Sequence, residues 1–313
     1  MGEAGKYLNE LRPILNLTIE KDIYLKFLSF YLVEMVIVLI LTLIMSIPVI
    51  LYFLNKGIIQ NPQLMSNPLI LSEIIGLFVI LGLVWIIIVA VIGALFEGAR
   101  FSYAKSVFDK KRKTLGEAIA VGKERMVAVF GVSLIWGLIS GIVTLVLMSP
   151  VIISFIDLIP KIQGGGSELA VSMVMLILYM VVMFFIIFIG LFLLSPFMSM
   201  SSPAAVFEKK GAIDSFKRSF GIVKGNYVPT LLFLIFVGAI VFAVGMVISI
   251  IGQVLSFMVL PFSFVGMEVY VGLILLVNLL LIVLGVLVEA WDNALGTLAV
   301  TKLFTLNQKK NKK

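Results

Sequence analysis

Apolar stretches of 20 or more residues recur along the chain with little or no charge, and they leave very few folds open to it. A helix rises 1.5 Å per residue, so each stretch can cross a hydrocarbon core of about 30 Å. Apolar residues make up 61% of the chain and charged residues 13%, which leaves too little polar sequence for a sizeable water-soluble domain. We therefore predict an all-α, multi-pass integral protein of the cell membrane.

The apolar stretches predict six transmembrane helices that are joined in pairs as hairpins. The expected spans are residues 27–54, 74–100, 126–149, 169–200, 227–252 and 269–295. Pro150 is expected to end the third span before an external loop, and Pro196 is expected to kink or end the fourth. Residues 253–267 are predicted to dip into the membrane as a loop that is broken at Pro261.

Polar segments flank this six-span domain of residues 27–305 at both ends. Residues 1–26 place leucines at helical spacing among charges, which predicts a short amphipathic helix on the cytoplasmic surface. Residues 306–313 form a lysine-rich cytoplasmic tail.

Two further amphipathic segments, residues 107–130 and 202–230, lie between predicted spans. In the first, Thr114 and Glu117 have the spacing of a capping box, in which each side chain satisfies a free amide at a helix start. Both segments place apolar residues on one helical face and charges on the other. We therefore predict that each contains a helix lying in the cytoplasmic membrane interface.

The distribution of positive charge predicts the orientation of the spans. Of the 24 lysines and arginines, only Lys56 and Lys161 fall outside the four segments 1–26, 97–126, 203–226 and 302–313. Cytoplasmic loops carry an excess of Lys and Arg, so these four segments and both termini are predicted to be cytoplasmic. The net charge of +7 is then explained by topology, and no nucleic-acid partner is predicted.

A reporter enzyme fused after Lys313 tests this orientation. A reporter that is active only in the cytoplasm is expected to be active in this fusion, and a reporter that is active only outside the cytoplasm is expected to be inactive. The reason is that the tail belongs to the cation-rich side. Fusion within the predicted loop around Lys161 serves as the control and is expected to give the opposite result. A periplasmic signal from the C-terminal fusion would overturn the six-span topology.

An internal repeat is indicated by two short matches. VFDKK at 107–111 and VFEKK at 206–210 both follow spans that run inward, and span six resembles span two through Gly285 and Glu289 at the offset of Gly93 and Glu97. Three hairpins related by duplication explain the matches, whereas a chance likeness between basic linkers is the alternative.

The stretch GAIDSFKRSFGIVKGNYVPTLLFLIF at 211–236 resembles the membrane domain attached to some bacterial glycerophosphodiester phosphodiesterases, and related stand-alone multi-pass proteins of bacteria and archaea. The resemblance extends over roughly residues 25–305 and implies a prokaryotic protein with this hairpin architecture. It does not carry over the phosphodiesterase chemistry, because that chemistry needs metal-binding carboxylates and histidines and this sequence has no histidine.

Charged and amide residues near the inner ends of the spans are the candidate ligand- or lipid-binding residues. They are Glu34, Glu97, Arg100, Asn278, Glu289 and Asp292. Charge that faces lipid is costly, so these side chains are predicted to line a polar pocket that opens to the inner leaflet. The alternative is that the acids lie at headgroup level without a function. Within the pocket, Arg100 is predicted to pair with Glu289 or Asp292.

Gly137 and Gly141 form a GxxxG pair in span three, which predicts a close helix contact either within the protein or in a dimer.

Membrane lipids are the predicted partners, together with a second copy of the chain or another membrane protein. The absence of Cys and His removes thiol nucleophiles, His bases and their metal sites, and no catalytic residue, metal or cofactor is predicted. We expect a non-enzymatic protein that interacts with lipid or assists a transport or envelope process; a secondary transporter or channel is the alternative.

Overall fold

The computed structural model describes residues 3–58, 60–164, 167–260 and 267–310. Nine α-helices account for almost all of this part of the chain. They are α1 (Glu3–Asn9), α2 (Leu11–Ile19), α3 (Lys21–Asn55), α4 (Pro68–Phe108), α5 (Leu115–Gly164), α6 (Ser167–Phe207), α7 (Ala212–Val223), α8 (Tyr227–Val259) and α9 (Met267–Lys310). A short 3₁₀ helix, Pro62–Ser66, connects α3 to α4.

The prediction of an all-α fold with six transmembrane helices is confirmed. Helices α3, α4, α5, α6, α8 and α9 are each long and apolar enough to cross a membrane. Several helices continue past their predicted ends. Helix α5 passes Pro150 and includes residues 151–164, where an external loop was expected, and α6 passes Pro196 without ending. Helix α8 continues to Val259, so the predicted membrane-dipping loop is wrong up to that residue, and Pro261 lies outside the described residues.

The six spans form a ring of three hairpins. Helices α3 and α4, α5 and α6, and α8 and α9 pair within the hairpins, and each hairpin also contacts the next. The second helix of each hairpin, namely α4, α6 or α9, additionally contacts the other two. These three helices therefore meet on the axis of the bundle. Under the predicted topology these three helices run inward.

Most of the buried apolar core lies at the end of the bundle that holds α1 and the end of α9, which the charge distribution predicts to be cytoplasmic and which we call the inner end. Phe27, Phe30 and Tyr103 pack edge to face there, with ring centroids 5.6 to 6.3 Å apart, and Leu298 and Leu303 of α9 are fully buried beside them. By contrast, few residues in the most apolar window of each span are buried, at most 11%. The inner end is thus packed like a soluble core, while the rest presents its side chains to the bilayer.

The N-terminal helices close the inner end of the bundle. The Tyr7 hydroxyl donates to Asn307 Oδ1 (2.7 Å), and Asn307 Nδ2 donates to the Thr230 hydroxyl (3.0 Å), so one buried network joins α1, α9 and α8. Lys302 also pairs with Glu10 at 3.0 Å. The predicted surface helix of residues 1–26 is therefore two helices and the start of α3, and these helices pack on the protein itself.

The two predicted interfacial helices have different outcomes. Helix α7 is a separate amphipathic helix, as expected. The helix predicted after Thr114 is not separate, because α5 runs without a break from Leu115 into span three. Its capping box is confirmed: Thr114 N donates to Glu117 Oε2 (2.7 Å) and Glu117 N donates to Thr114 Oγ1 (3.3 Å).

Aromatic packing fixes α7 against the spans. Phe220 stacks on Phe197 of α6, with ring centroids 4.6 Å apart, and Phe216 lies 5.0 Å from the Trp136 ring of α5. The Trp136 indole in turn donates to the Ser201 hydroxyl of α6 at 2.9 Å. The apolar face of α7 thus contacts protein at these residues, although Ile213 on the same face is exposed.

Replacing Phe216 with Asp is expected to lower the free energy of unfolding by about 2 kcal/mol or more, because the change removes apolar burial and places a carboxylate against Trp136. Lys217→Asp is the matched control, since Lys217 is its exposed neighbour and its loss is expected to change stability little. Thermal unfolding in detergent measures both. Equal tolerance of the two substitutions would show that α7 contributes no packing energy.

The tightest approach between spans is made by glycines of α4 and α5. A Cβ atom built on Gly98 would lie 3.2 Å from Gly122 Cα, and one built on Gly122 would lie 2.9 Å from Ala99 N. Gly137 and Gly141, which were predicted to form the close contact, have no atom within 4 Å of such a Cβ position. That prediction is therefore wrong for contacts within the described chain.

The two sequence matches have the same backbone at their helix ends. Helix α4 ends at Phe108 and α6 at Phe207, and the second residue after each end, Lys110 or Lys209, has φ of 55°. This left-handed conformation is common just past a helix end and is unusual for lysine. The two segments thus share a local fold as well as a sequence pattern.

Candidate functional site

A polar cavity lies where α4, α6 and α9 meet on the bundle axis. Its volume is about 370 Å³, and its charged lining residues are Glu97 and Arg100 of α4 and Asp292 of α9. Ser199 of α6 and Thr297 of α9 add hydroxyl groups. The three inward-running helices therefore bring three of the six predicted site residues to one place, which we call the axial cavity.

A fourth predicted residue, Glu34 of α3, reaches the edge of this cluster. Its carboxylate accepts a hydrogen bond from Arg100 Nη1 at 2.7 Å, and the two side chains are 20% and 13% exposed. Gly93 of α4 lies next to this carboxylate, since a Cβ atom built there would be in ordinary contact with Glu34 Oε1 at 3.9 Å. The prediction that Arg100 pairs with Glu289 or Asp292 is wrong, because α3 lies beside α4 and offers the nearer acid.

The axial cavity holds more acid than base. Glu97 interacts with Ser202 of α6, and neither Glu97 nor Asp292 has an ion-pair partner within 4 Å in the described part of the chain. Arg100 is the cavity's cation, and it is already bonded to Glu34. No group of three or more acidic side chains among the described residues could hold a metal ion. The cavity is therefore suited to a cationic or hydrogen-bond-donating group.

The remaining predicted residues lie outside the axial cavity. Glu289 is exposed and does not line the cavity. Asn278 is eleven residues earlier on α9, about 16 Å away along the helix. It lines a different, mostly apolar space of about 540 Å³ between α8 and α9, and its amide donates to Ile274 O at 2.8 Å. The structure thus separates Asn278 from the acidic residues.

The axial cavity lies at the inner margin of the apolar runs. Glu34 precedes the uncharged residues 35–54, Glu97 follows residues 74–96, and Asp292 comes shortly after residues 269–288. Each run has the length needed to cross the hydrocarbon core. If these runs span the core, the acids are level with the headgroups of one leaflet.

Sequence analysis missed the small polar residues of the cavity. Ser199 and Ser202 of α6, and Asn293 and Thr297 of α9, lie on or beside its lining. Two features of the sequence could have indicated them. Ser199 and Ser202 lie in the last two turns before VFEKK, and Thr297 lies just over one turn beyond Asp292. Serine and threonine are common in membrane helices, however, so the signal was weak without the packing of α4, α6 and α9.

Comparisons of the chain with protein families, with curated proteins and with solved structures found no match.

Proposed function

We propose that this protein is a non-enzymatic membrane protein that binds the amine-bearing headgroup of an inner-leaflet phospholipid in the axial cavity. The observation that carries the proposal is the pair of acids, Glu97 and Asp292, which line one cavity at the inner margin of the apolar runs without an ion-pair partner among the described residues. An ammonium group of a lipid would supply the missing counter-charge.

The surroundings of the cavity support a lipid more than a free solute. Side chains of α6 such as Phe185, Phe188 and Leu193, which come about two to four turns before Ser199 of the cavity, are exposed. Acyl chains can therefore follow the helix surface while the headgroup enters the cavity.

Retention of lipid during purification tests the proposal. The variant Glu97→Gln/Asp292→Asn is expected to retain about ten-fold less phosphatidylethanolamine than the wild type, since hydrogen bonds to a charged group are worth roughly 1.5 to 3 kcal/mol. Native mass spectrometry from membranes that contain phosphatidylethanolamine and phosphatidylglycerol gives the ratio of the two lipids. Glu117→Gln/Asp214→Asn removes the same charge at exposed positions and is the control. Equal retention by all three proteins would contradict the proposal.

The transporter alternative is less favoured by the helix geometry. Transporters commonly place discontinuous helices at the bilayer midplane, whereas α3, α4, α6 and α9 are each continuous over the ranges that the structure describes. Proton or cation flux into protein-containing liposomes that is lost in Glu97→Gln/Asp292→Asn, together with unchanged lipid retention, would support a transporter.

We also propose that the three hairpins derive from a duplicated unit, as the two matches within the sequence indicate. The matching left-handed residues Lys110 and Lys209 and the common meeting point of α4, α6 and α9 support this proposal. Under it, the axial cavity is the place where the three copies of the unit face one another.

A further inference from the structure

A second cavity lies on the cytoplasmic face, where the end of α4, the start of α5 and the end of α6 come together. Its volume is about 340 Å³. Five cations line it, namely Lys105, Lys111, Lys113, Arg125 and Lys209. The acids in its lining are Asp109 and Glu124, so positive charge is in clear excess. We call it the lysine cavity.

The lysines of this cavity lack acidic partners. Glu124 pairs with Arg125. Lys105, Lys111, Lys113 and Lys209 form no ion pair within 4 Å anywhere in residues 3–58, 60–164, 167–260 and 267–310. Four ammonium groups around one space repel one another unless an anion lies between them.

The matching segment after α6 shows that this charge excess is not a general feature of the inward helix ends. There, Glu208 occupies the position equivalent to Asp109, and its carboxylate pairs with Arg218 at 3.0 Å and with Lys210 at 3.4 Å. Gln308 donates a further hydrogen bond to it at 3.1 Å. Lys210 and Arg218 are thus paired within the protein, whereas Lys209, which extends from the same segment into the lysine cavity, forms no ion pair among the described residues.

Two of the cavity's lysines are held in place by the fold. Lys113 Nζ donates to the hydroxyl of buried Ser102 at 2.8 Å, and Lys113 N donates to buried Ser106 Oγ at 3.2 Å. Lys105 Nζ lies 5.2 Å from the centre of the Phe207 ring. Neither contact brings a negative charge to the ammonium group, so both contacts position the lysines and leave their positive charge unneutralised.

We propose that the lysine cavity binds a phosphate group. A phosphate monoester carries a charge of about −1.5 to −2 at pH 7 and three strong acceptor oxygens, which matches several unpaired lysine donors around one space. Lysine binds phosphate as a point charge and needs no fixed fork geometry. This proposal does not depend on the axial cavity, which is acidic and has a different lining.

The phosphate can come from a lipid headgroup or from a soluble ion, and two arms of one experiment separate these sources. The purified full-length protein is placed in nanodiscs of phosphatidylcholine and titrated with inorganic phosphate. In parallel, it is placed in nanodiscs that also contain phosphatidic acid. The midpoint of thermal unfolding is measured in both arms at fixed ionic strength and in sulfate-free buffer. The reference sample contains chloride in place of the added phosphate.

Lys105→Gln/Lys113→Gln is expected to weaken binding about 25-fold, because each lysine near an anionic group contributes about five-fold. Lys123→Gln/Lys224→Gln removes the same charge at exposed positions outside the cavity and is the matched control. Lys111→Gln/Lys209→Gln, at exposed positions of the cavity, gives a second test if the first variant does not fold. A shift with phosphate indicates a soluble ligand, and a shift with phosphatidic acid alone indicates a lipid. No shift in either arm, or equal shifts in the cavity and control variants, would overturn the proposal.

Discussion

Gly122→Ala is expected to destabilise the protein by about 3 kcal/mol, or to prevent its folding, although it adds a single methyl group. The new Cβ atom would overlap Leu95 O and lie 2.9 Å from Ala99 N, and both atoms belong to the α4 backbone. A flexible side chain could move aside, but a helix backbone in the middle of a packed bundle cannot. Overpacking of this kind typically costs about 1 to 3 kcal/mol and more where relaxation is blocked.

Gly137→Ala on the same helix is the control. No atom lies within 4 Å of its Cβ position, so the substitution is expected to leave stability unchanged or to raise it slightly, since alanine has the better helix propensity. Thermal unfolding in detergent, with expression level as a second measure, compares the two variants. A larger loss from Gly137→Ala would instead place the important helix contact at the GxxxG pair, as in a dimer.

Arg100→Leu is expected to cost about 3 kcal/mol, because it leaves the largely buried Glu34 carboxylate without its partner. The double variant Arg100→Leu/Glu34→Leu is expected to recover much of that loss, since no stranded charge remains. The two side chains are 13% and 20% exposed, so solvent screens the pair only in part. The measurement is a double-mutant cycle on the free energy of unfolding.

A second cycle, between Arg100→Leu and Asp292→Leu, provides the comparison. Asp292 shares the axial cavity with Arg100 but is not its ion-pair partner, so the coupling is expected to be weaker than that with Glu34. Strict additivity in the Glu34 cycle would show that the 2.7 Å contact carries no net energy. Stronger coupling to Asp292 than to Glu34 would mean that Asp292 of the axial cavity, and not Glu34 of α3, is the partner of Arg100 in the membrane.

The Gly122 and Arg100 predictions both concern the inner third of the bundle, because most of the buried side chains are packed there. Tyr103, Phe233 and Leu295 are fully or almost fully buried near the inner end, whereas Leu43, Leu83 and Leu279 are more than half exposed. Lipid replaces protein contacts around the exposed leucines, so changes there alter little that the protein itself provides. The inner end both holds the hairpins together and carries the two cavities.

The sequence by itself determined the fold class, the number of spans and the approximate position of most helix starts. These properties depend on local composition, because a run of uncharged apolar residues has no stable alternative to a helix in a bilayer. The capping box at Thr114 was predictable for the same reason, since its two hydrogen bonds join residues three apart. The inner-end acids were also identified, because a charge beside a long apolar run stands out.

Only the tertiary structure decided which of these residues meet. Arg100 pairs with Glu34 because α3 lies beside α4, and the close contact between α4 and α5 forms because Gly98 faces Gly122. The spacing of residues within one helix does not determine either arrangement. Periodicity places Gly137 and Gly141 on one helical face, but it does not say whether another helix lies against that face. Pro150 was expected to end its helix and Pro196 to kink or end its helix, yet α5 and α6 both continue past these prolines. Breaking the backbone hydrogen bonds of a helix within a bilayer costs more than tolerating one missing donor.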